Sequence, residues 1–290
     1  MSLDPTFILT CRRSGSTLLR VMLAGHPGLF SPPELNLAGY QTMRERESAL
    51  GPCQSGLCRK HSCDQREGLQ RAIMELRQID ESASRQVLQA MLEHNIPIRQ
   101  VYDELIRLTS PRRVVDKSPL YTLRYENLQR IAELFPNAQY VHLHRHPYAV
   151  IHSLLRNGFE PSADKAEASW TTTNDNIRRF LLTIDRERQI VVPYEDLVSQ
   201  PQSVMNELCS FLGVEFHSSV LSPYEGSRMT DGVRPGVPPP GDGNFGSHQS
   251  IDPKLGSIWR DFVPEQPLSE ETLQVSSALG YHLMQVTTQA

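Results

Sequence analysis

The chain has 290 residues, of which 39% are hydrophobic and 21% charged, and a formal net charge of −4. That length holds one large α/β domain or two small ones, and the composition is that of an ordinary globular protein. The negative balance excludes a nucleic-acid partner held by general charge, so any anion site must be local, and no apolar run approaches the roughly 18 residues that span a membrane.

The start, Met1-Ser2-Leu3-Asp4-Pro5, has neither the basic nor the apolar region of a secretion signal, which predicts a cytoplasmic location. A first strand so close to residue 1 also fits a domain cut from a longer chain. Five cysteines, Cys11, Cys53, Cys58, Cys63 and Cys209, form an odd set that reads as free thiols. The run Cys53-x4-Cys58-x4-Cys63, with His61 inside it, lacks the C-x2-C pair of zinc sites. It reads as a loop that carries thiols, and no metal is expected.

In chain order, Phe7-Ile8-Leu9 with Thr10-Cys11 predicts a strand, Arg12 to Thr17 a tight turn, and Leu18, Leu19, Val21, Met22 and Leu23 a helix stopped by His26-Pro27. Ser31-Pro32-Pro33-Glu34-Leu35-Asn36 reads as a rigid loop that fixes where Glu34 points. Residues 36–110 carry few strand signals. Helices are predicted over 37–50, 68–79, 84–95 and 98–108, with a Gly-, Pro-, Cys- and Ser-bearing loop over 51–64. This segment reads as a helical insertion or lid. Strands follow at 112–116, 139–144 and 189–193, and helices at 121–135, 148–155, 165–184 and 201–212. Residues 222–253 are rich in Gly, Pro and Ser and predict a long functional loop. Helices over 253–262 and 269–284 finish the chain. The alternation predicts an α/β fold: an open, mostly parallel sheet flanked by helices, one domain over 1–290 with 36–110 inserted into it.

Ligands bind such sheets at the carboxyl ends of the strands. The turns after residues 11, 116, 144 and 193 therefore meet around one crevice and bring Arg12, Arg13, Lys117, Arg145 and Tyr194 to it. Ser14, Gly15, Ser16 and Thr17 leave the backbone N–H groups of a helix N-terminus open, which suits an anion such as a phosphate. The nucleotide-hydrolase pattern G-x-x-x-x-G-K-[ST] is absent, since no Gly-Lys follows Gly15.

The chain resembles the sulfotransferases that use 3′-phosphoadenosine 5′-phosphosulfate (PAPS) and release 3′-phosphoadenosine 5′-phosphate (PAP), which implies a P-loop-like sulfotransferase fold. Arg13-Ser14-Gly15-Ser16-Thr17-Leu18 resembles the family's 5′-phosphosulfate loop, with Arg13 where cytosolic members usually have lysine. Arg145-His146-Pro147, with Ser153 eight residues after Arg145, resembles the 3′-phosphate motif. The order of these two motifs places them at opposite ends of the core sheet. Ser153 reaches the phosphate held by Arg145 only if its helix lies across the site. Tyr194-Glu195-Asp196-Leu197 resembles the segment whose tyrosine sits near the adenine.

Pro32-Pro33-Glu34-Leu35, Asp116-Lys117-Ser118-Pro119, Trp170-x3-Asn174 and Gly243-Asn244-Phe245-x2-His248 resemble the sulfotransferase domains embedded in modular polyketide and olefin synthases. That resemblance implies a β-hydroxyacyl chain on an acyl carrier protein as acceptor, and a neighbouring thioesterase domain that releases and decarboxylates it with loss of sulfate, leaving a terminal alkene. It implies Glu34 or His248 as the base, with Glu34 favoured, and Arg13 and Lys117 as stabilisers of the developing charge, without a metal. Two positions depart from the pattern. Asn36 stands where related chains often have histidine, and Glu34 lies one position later, counted from His26-Pro27, than the catalytic glutamate of tyrosyl-protein and heparan sulfotransferases. The competing readings are a sulfotransferase for a free small molecule, glycan or peptide, and a nucleotide-binding regulatory module without catalysis.

Overall fold

A computed structural model describes residues 4–51, 64–225, 245, 248–262 and 266–283. Five parallel strands form one sheet: β1 (Thr6–Thr10), β2 (Leu29–Phe30), β3 (Arg113–Lys117), β4 (Gln139–His144) and β5 (Gln189–Pro193). Their order across the sheet is β2-β3-β1-β4-β5. Strand β1 is central because it is apolar on both faces. Phe7 and Leu9 point into a cluster with Tyr102, Tyr121, Phe135 and Tyr140, while Ile8 points to the other side with Leu19, Val115 and Val141. Strands buried on both faces read as continuous apolar runs, and this is what the parallel sheet requires.

On one face lie α1 (Ser16–Ala24), α9 (Tyr194–Ser199) and α10 (Pro201–Leu212). The other face carries α5 (Ile98–Thr109), α6 (Tyr125–Leu134) and α8 (Ala163–Leu181). A third cluster, at the carboxyl end of the sheet, joins Cys11 to α7 (Pro147–Arg156), Trp170 of α8 and Val275 of α11 (Glu270–Ala278). The connection from β2 to β3 holds α2 (Met43–Leu50), α3 (Asp64–Arg77), α4 (Glu81–Glu93) and α5. Leu69, Ala72 and Ile73 of α3 and Val101, Tyr102 and Leu105 of α5 belong to the same core as Phe7. Cys53, Cys58, His61 and Cys63, and with them the thiol-bearing loop, lie outside the described residues, as do Gly243 and Asn244.

Four elements differ clearly from expectation, and one of them, the helix expected over 269–284, ends at Ala278. The helix expected over 37–50 begins only at Met43. Residues 36–38 instead spend their amides on side chains of a neighbouring turn. The helix expected over 121–135 splits into a 3-10 turn, Pro119–Leu123, and α6, with Arg124 extended between them at φ −132°. Thr122 holds that turn against β1 by donating to the Thr10 carbonyl at 2.9 Å. The helix expected over 253–262 is two 3-10 turns, Pro253–Gly256 and Ile258–Asp261. No helix among the described residues is long and apolar enough to cross a membrane.

Strand β4 leads into a file of buried histidines. His142 faces Asn174 at 3.3 Å, His144 Nδ1 lies 2.7 Å from the Tyr281 hydroxyl, and His146 stacks on Trp259 with centroids 3.9 Å apart. Tyr281 donates its only proton to Glu195, so His144 must be the donor in their contact. Burial holds His142 and His146 down to about 4 and His144 down to about 3. The unfolded chain therefore binds protons that the folded chain refuses between these values and the ordinary 6.5. Their contribution to stability is complete above 6.5 and is lost as the pH falls through the folded values. Thermal unfolding followed from pH 7 down to 5 should show a falling midpoint, and His142→Gln should flatten that slope.

Candidate active site

The carboxyl ends of the strands carry the candidate residues, as the fold class requires. Strand β1 ends at Thr10, and Cys11 opens the loop to α1. Burial pushes the Cys11 thiol up to about 12, so it stays protonated and is no nucleophile. Arg13 has φ +67°, and Gly15, the residue capping α1, has φ +84°. Gly15 also meets a steric limit, because a Cβ there would overlap the Tyr194 ring. Only glycine satisfies both conditions. The capping residue supplies no side-chain bond to the helix, and α1 has no acidic residue in its first turn. Ser16, Thr17 and Leu18 thus present the first amides of the helix, which lack intrahelical acceptors. The Ser14 hydroxyl is buried and has no hydrogen-bond partner among the described residues.

The two motifs expected at opposite ends of the sheet are neighbours. β1 and β4 are paired, with Leu9 beside His142 and Thr10 beside Leu143. Their exits therefore lie side by side. Arg145 donates to the Arg13 carbonyl at 3.2 Å, and its guanidinium lies 4.3 Å from the centre of the Tyr194 ring. Arg13 Nε donates to the Ser153 hydroxyl at 3.0 Å. The second turn of α7 thus lies across the loop, as a role for Ser153 requires, and one cluster holds Arg13, Arg145, Ser153 and Tyr194. Arg12 and Arg13 both lie over the ring of Phe159, at 5.9 and 5.6 Å.

Lys117 is the last residue of β3 rather than part of the turn after it. Its side chain is only 1% exposed, and its Nζ meets Glu34 Oε1 at 2.5 Å. The loop that carries Glu34 is held from several sides. Arg20 of α1 donates to the Ser31 carbonyl at 2.9 Å. Arg46 of α2 donates to the carbonyls of Asn36 and Leu35, at 2.9 and 3.2 Å. Gly68, inside α3, lies so close to the Glu34 and Pro33 carbonyls that a Cβ would overlap the former.

His248 is placed elsewhere. It lines a cavity of about 150 Å³ together with Arg13, Gly15, Arg145, Tyr194, Tyr224 and Phe245. Tyr224 and Phe245 stack at 4.8 Å, and His248 lies 6.4 Å from Tyr224. Glu34 and Lys117 are not among the residues that line this cavity. Sequence reasoning missed Trp170 as a support of the site: its indole N–H donates to the Arg145 carbonyl at 3.0 Å. It also missed Arg20, Arg46, Phe159 and Gly68. Of these only Gly68 left a signal, as a lone glycine within a helical pattern.

An anion loop at a helix N-terminus, a second arginine beside it, and a lysine–glutamate pair at the adjacent strand end define a group-transfer site of the phosphate-loop kind. The profile of the sulfotransferase family matches residues 5–218. The chain belongs to that family. Protein-tyrosine sulfotransferase of Drosophila melanogaster is 26% identical over 240 residues, 78% of this chain and 41% of its own length. Nodulation protein NoeE of Sinorhizobium fredii is 24% identical over 303 residues, 96% of this chain and 64% of its own. The chain thus spans about half the length of the curated relatives it matches first. Among solved structures, the sulfotransferase domain of the Synechococcus PCC 7002 olefin synthase is 41% identical, with a TM-score of 0.87 and 97% of each chain covered. The sulfotransferase domain from the curacin biosynthetic pathway gives the same identity and TM-score, over 97% of this chain and 99% of the other.

Gly15→Ala should sharply weaken calorimetric binding of an anion such as inorganic sulfate at the loop, because the new methyl group drives Tyr194 off the loop and strains the backbone. Gly68→Ala should leave that binding intact and displace the Pro33–Glu34 backbone instead.

Proposed function

We propose that the chain moves a sulfonate from PAPS to the β-hydroxyl of an acyl chain carried on an acyl carrier protein, activating that chain for decarboxylative formation of a terminal alkene. The observation that carries the transfer chemistry is the Lys117–Glu34 pair, 2.5 Å apart, at the carboxyl end of the strand beside the anion loop. The acceptor class rests on the similarity to the olefin synthase and curacin domains over nearly the whole chain. A buried lysine held against a glutamate beside the anion loop favours a transferase over a nucleotide-binding module without catalysis.

The residues present fit PAPS. Among the described residues, Ser14 has a buried hydroxyl with no partner and the first amides of α1 meet no acceptor, and Tyr194 closes over Gly15. Arg13, Ser14, Gly15, Ser16, Thr17 and Leu18 would hold the 5′ end, with Arg12 beside them, and Arg145 and Ser153 the 3′-phosphate. When bound, PAPS supplies the sulfonate, whose bond to the phosphate oxygen breaks as a bond to the acceptor oxygen forms.

An alcohol attacks poorly while protonated, so a positioned base must take its proton as the new bond forms. Glu34 fills this role, and its loop is fixed at Arg20, Arg46 and Gly68. Lys117 and Arg13 place positive charge where negative charge grows on the departing side, and such preorganised charge acts strongly where water is excluded. His248 shares its cavity with Arg145 and Tyr194. We therefore assign it to binding and orientation on the nucleotide side, and the base to Glu34.

Glu34→Gln should lower kcat by about 100-fold or more, with PAP affinity unchanged. Arg145→Ala should weaken PAP binding first, and by at least about tenfold, the scale of one lost charge-assisted contact. The acceptor is tested by incubating the protein with PAPS and a β-hydroxyacyl carrier protein and weighing the product. A gain of one sulfonate on the acyl chain supports the reading. Sulfation only of carrier-free alcohols would replace it with the free-acceptor function.

A further inference from the structure

The loop that presents Glu34 is docked on hydroxyl groups, and both of those hydroxyls answer to one carboxylate. The amide of Asn36 donates to Ser118 Oγ at 3.0 Å. The amides of Leu37 and Ala38 both donate to the Tyr121 hydroxyl, at 2.8 and 3.1 Å. Each hydroxyl has one proton of its own, and both protons go to Asp116: Ser118 donates to Oδ1 at 2.7 Å and Tyr121 to Oδ2 at 2.7 Å. Tyr102, from α5, donates to the same Oδ2. Asp116, Ser118, Tyr102 and Tyr121 are all essentially out of contact with water.

This arrangement has a direction. A carboxylate has no proton to give, so it can only accept. Its presence forces the hydroxyls of Ser118 and Tyr121 to turn their hydrogens inward and their lone pairs outward. Those lone pairs meet three consecutive N–H groups. The backbone that offers them is unusual, because Asn36 has φ +48°. Asparagine tolerates that left-handed conformation better than β-branched residues do.

Asp116 and Lys117 are successive residues of β3 and so point to opposite faces of the sheet. One strand end therefore acts on the Glu34 loop twice: Lys117 holds the carboxylate oxygen, and Asp116, through Tyr121 and Ser118, holds the backbone two to four residues after Glu34. We propose that Tyr121, oriented by Asp116, is a positioning residue for sulfonate transfer, one that sets the place of Glu34 without touching either substrate. The proposal rests on the assignment of Glu34 as the base.

Tyr121→Phe removes one oxygen and keeps the ring in the core. The test compares wild type, Tyr121→Phe, Glu34→Gln and the double variant, reading kcat and KM with PAPS and a carrier-bound acceptor, PAP affinity by calorimetry, and the thermal midpoint. Misplacing a catalytic group by about 1 Å costs about 10- to 100-fold in rate, so Tyr121→Phe should lower kcat by that factor. KM for PAPS and PAP affinity should not change. In the Glu34→Gln background the same substitution should cost nothing further, because the group it positions is already gone. An equal fold loss in both backgrounds, or no loss in the wild-type background, overturns the proposal. Undiminished kcat in Glu34→Gln alone overturns the assignment of the base, and the positioning role falls with it; that result is read before Tyr121 is varied. If Tyr121→Phe does not fold, Tyr102→Phe carries the test. It removes a donor to Asp116 without touching the loop, and it should show a smaller loss with the same dependence on Glu34.

Discussion

The structure is organised by a cation that has almost no water. The side chain of Lys117 is 1% exposed at the end of an interior strand. An ammonium group taken out of water is penalised by several kcal/mol unless a counter-charge meets it with good geometry. Glu34 is that counter-charge, and it comes from a loop on the far side of the neighbouring two-residue strand. Everything that brings the loop in follows from this need. Arg20 holds its start, Arg46 and the Ser118–Tyr121 turn hold its end, and Gly68 lets a helix pass close behind it. A site that transfers charged groups thus begins as a solution to burying one lysine.

The half built around the anion loop obeys a different constraint, the adjacency of β1 and β4. Because these strands are paired, their exits deliver Arg13 and Arg145 side by side, and two like charges must share the space. They do so by dividing their contacts. Arg13 turns to Ser153 and the face of Phe159, while Arg145 lies on the ring of Tyr194. Trp170 fixes the backbone of Arg145 from beneath. Tyr281, near the end of the described chain, closes the same region by bonding Glu195, which in turn accepts the amide of His146. The motif after β5 therefore does more than place an aromatic ring, since its glutamate ties three segments together.

Much of this was legible in the sequence where the signal is local. β4, β5 and α10 fall where their apolar runs place them, and the anion loop was readable from its small residues and arginines. What escaped was whatever depends on which strands are neighbours. Strand order is not written in any one segment, so the shared crevice was readable but the direct contact of Arg13 with Arg145 within it was not. β2 is too short to carry a period of its own. Leu37 and Ala38 looked helical because they permit a helix, and tertiary hydrogen bonds to the Tyr121 hydroxyl won the competition for their amides. Glu34 and Lys117 were both singled out, but the contact between them, spanning 83 positions, has no trace in local pattern.

The helices between β2 and β3 do not bear these duties equally. α3 supplies the glycine behind Glu34, and α5 supplies a tyrosine to Asp116. α4 supplies neither, and Ser84 is its only buried residue. α2 holds the same loop through Arg46, so three of the four helices are tied to it and α4 is the exchangeable one. Divergence between family members that serve different acceptors has room to collect in α4 and the ends that flank it, whereas a change of length or register in α3 or α5 would dislodge the loop that carries Glu34.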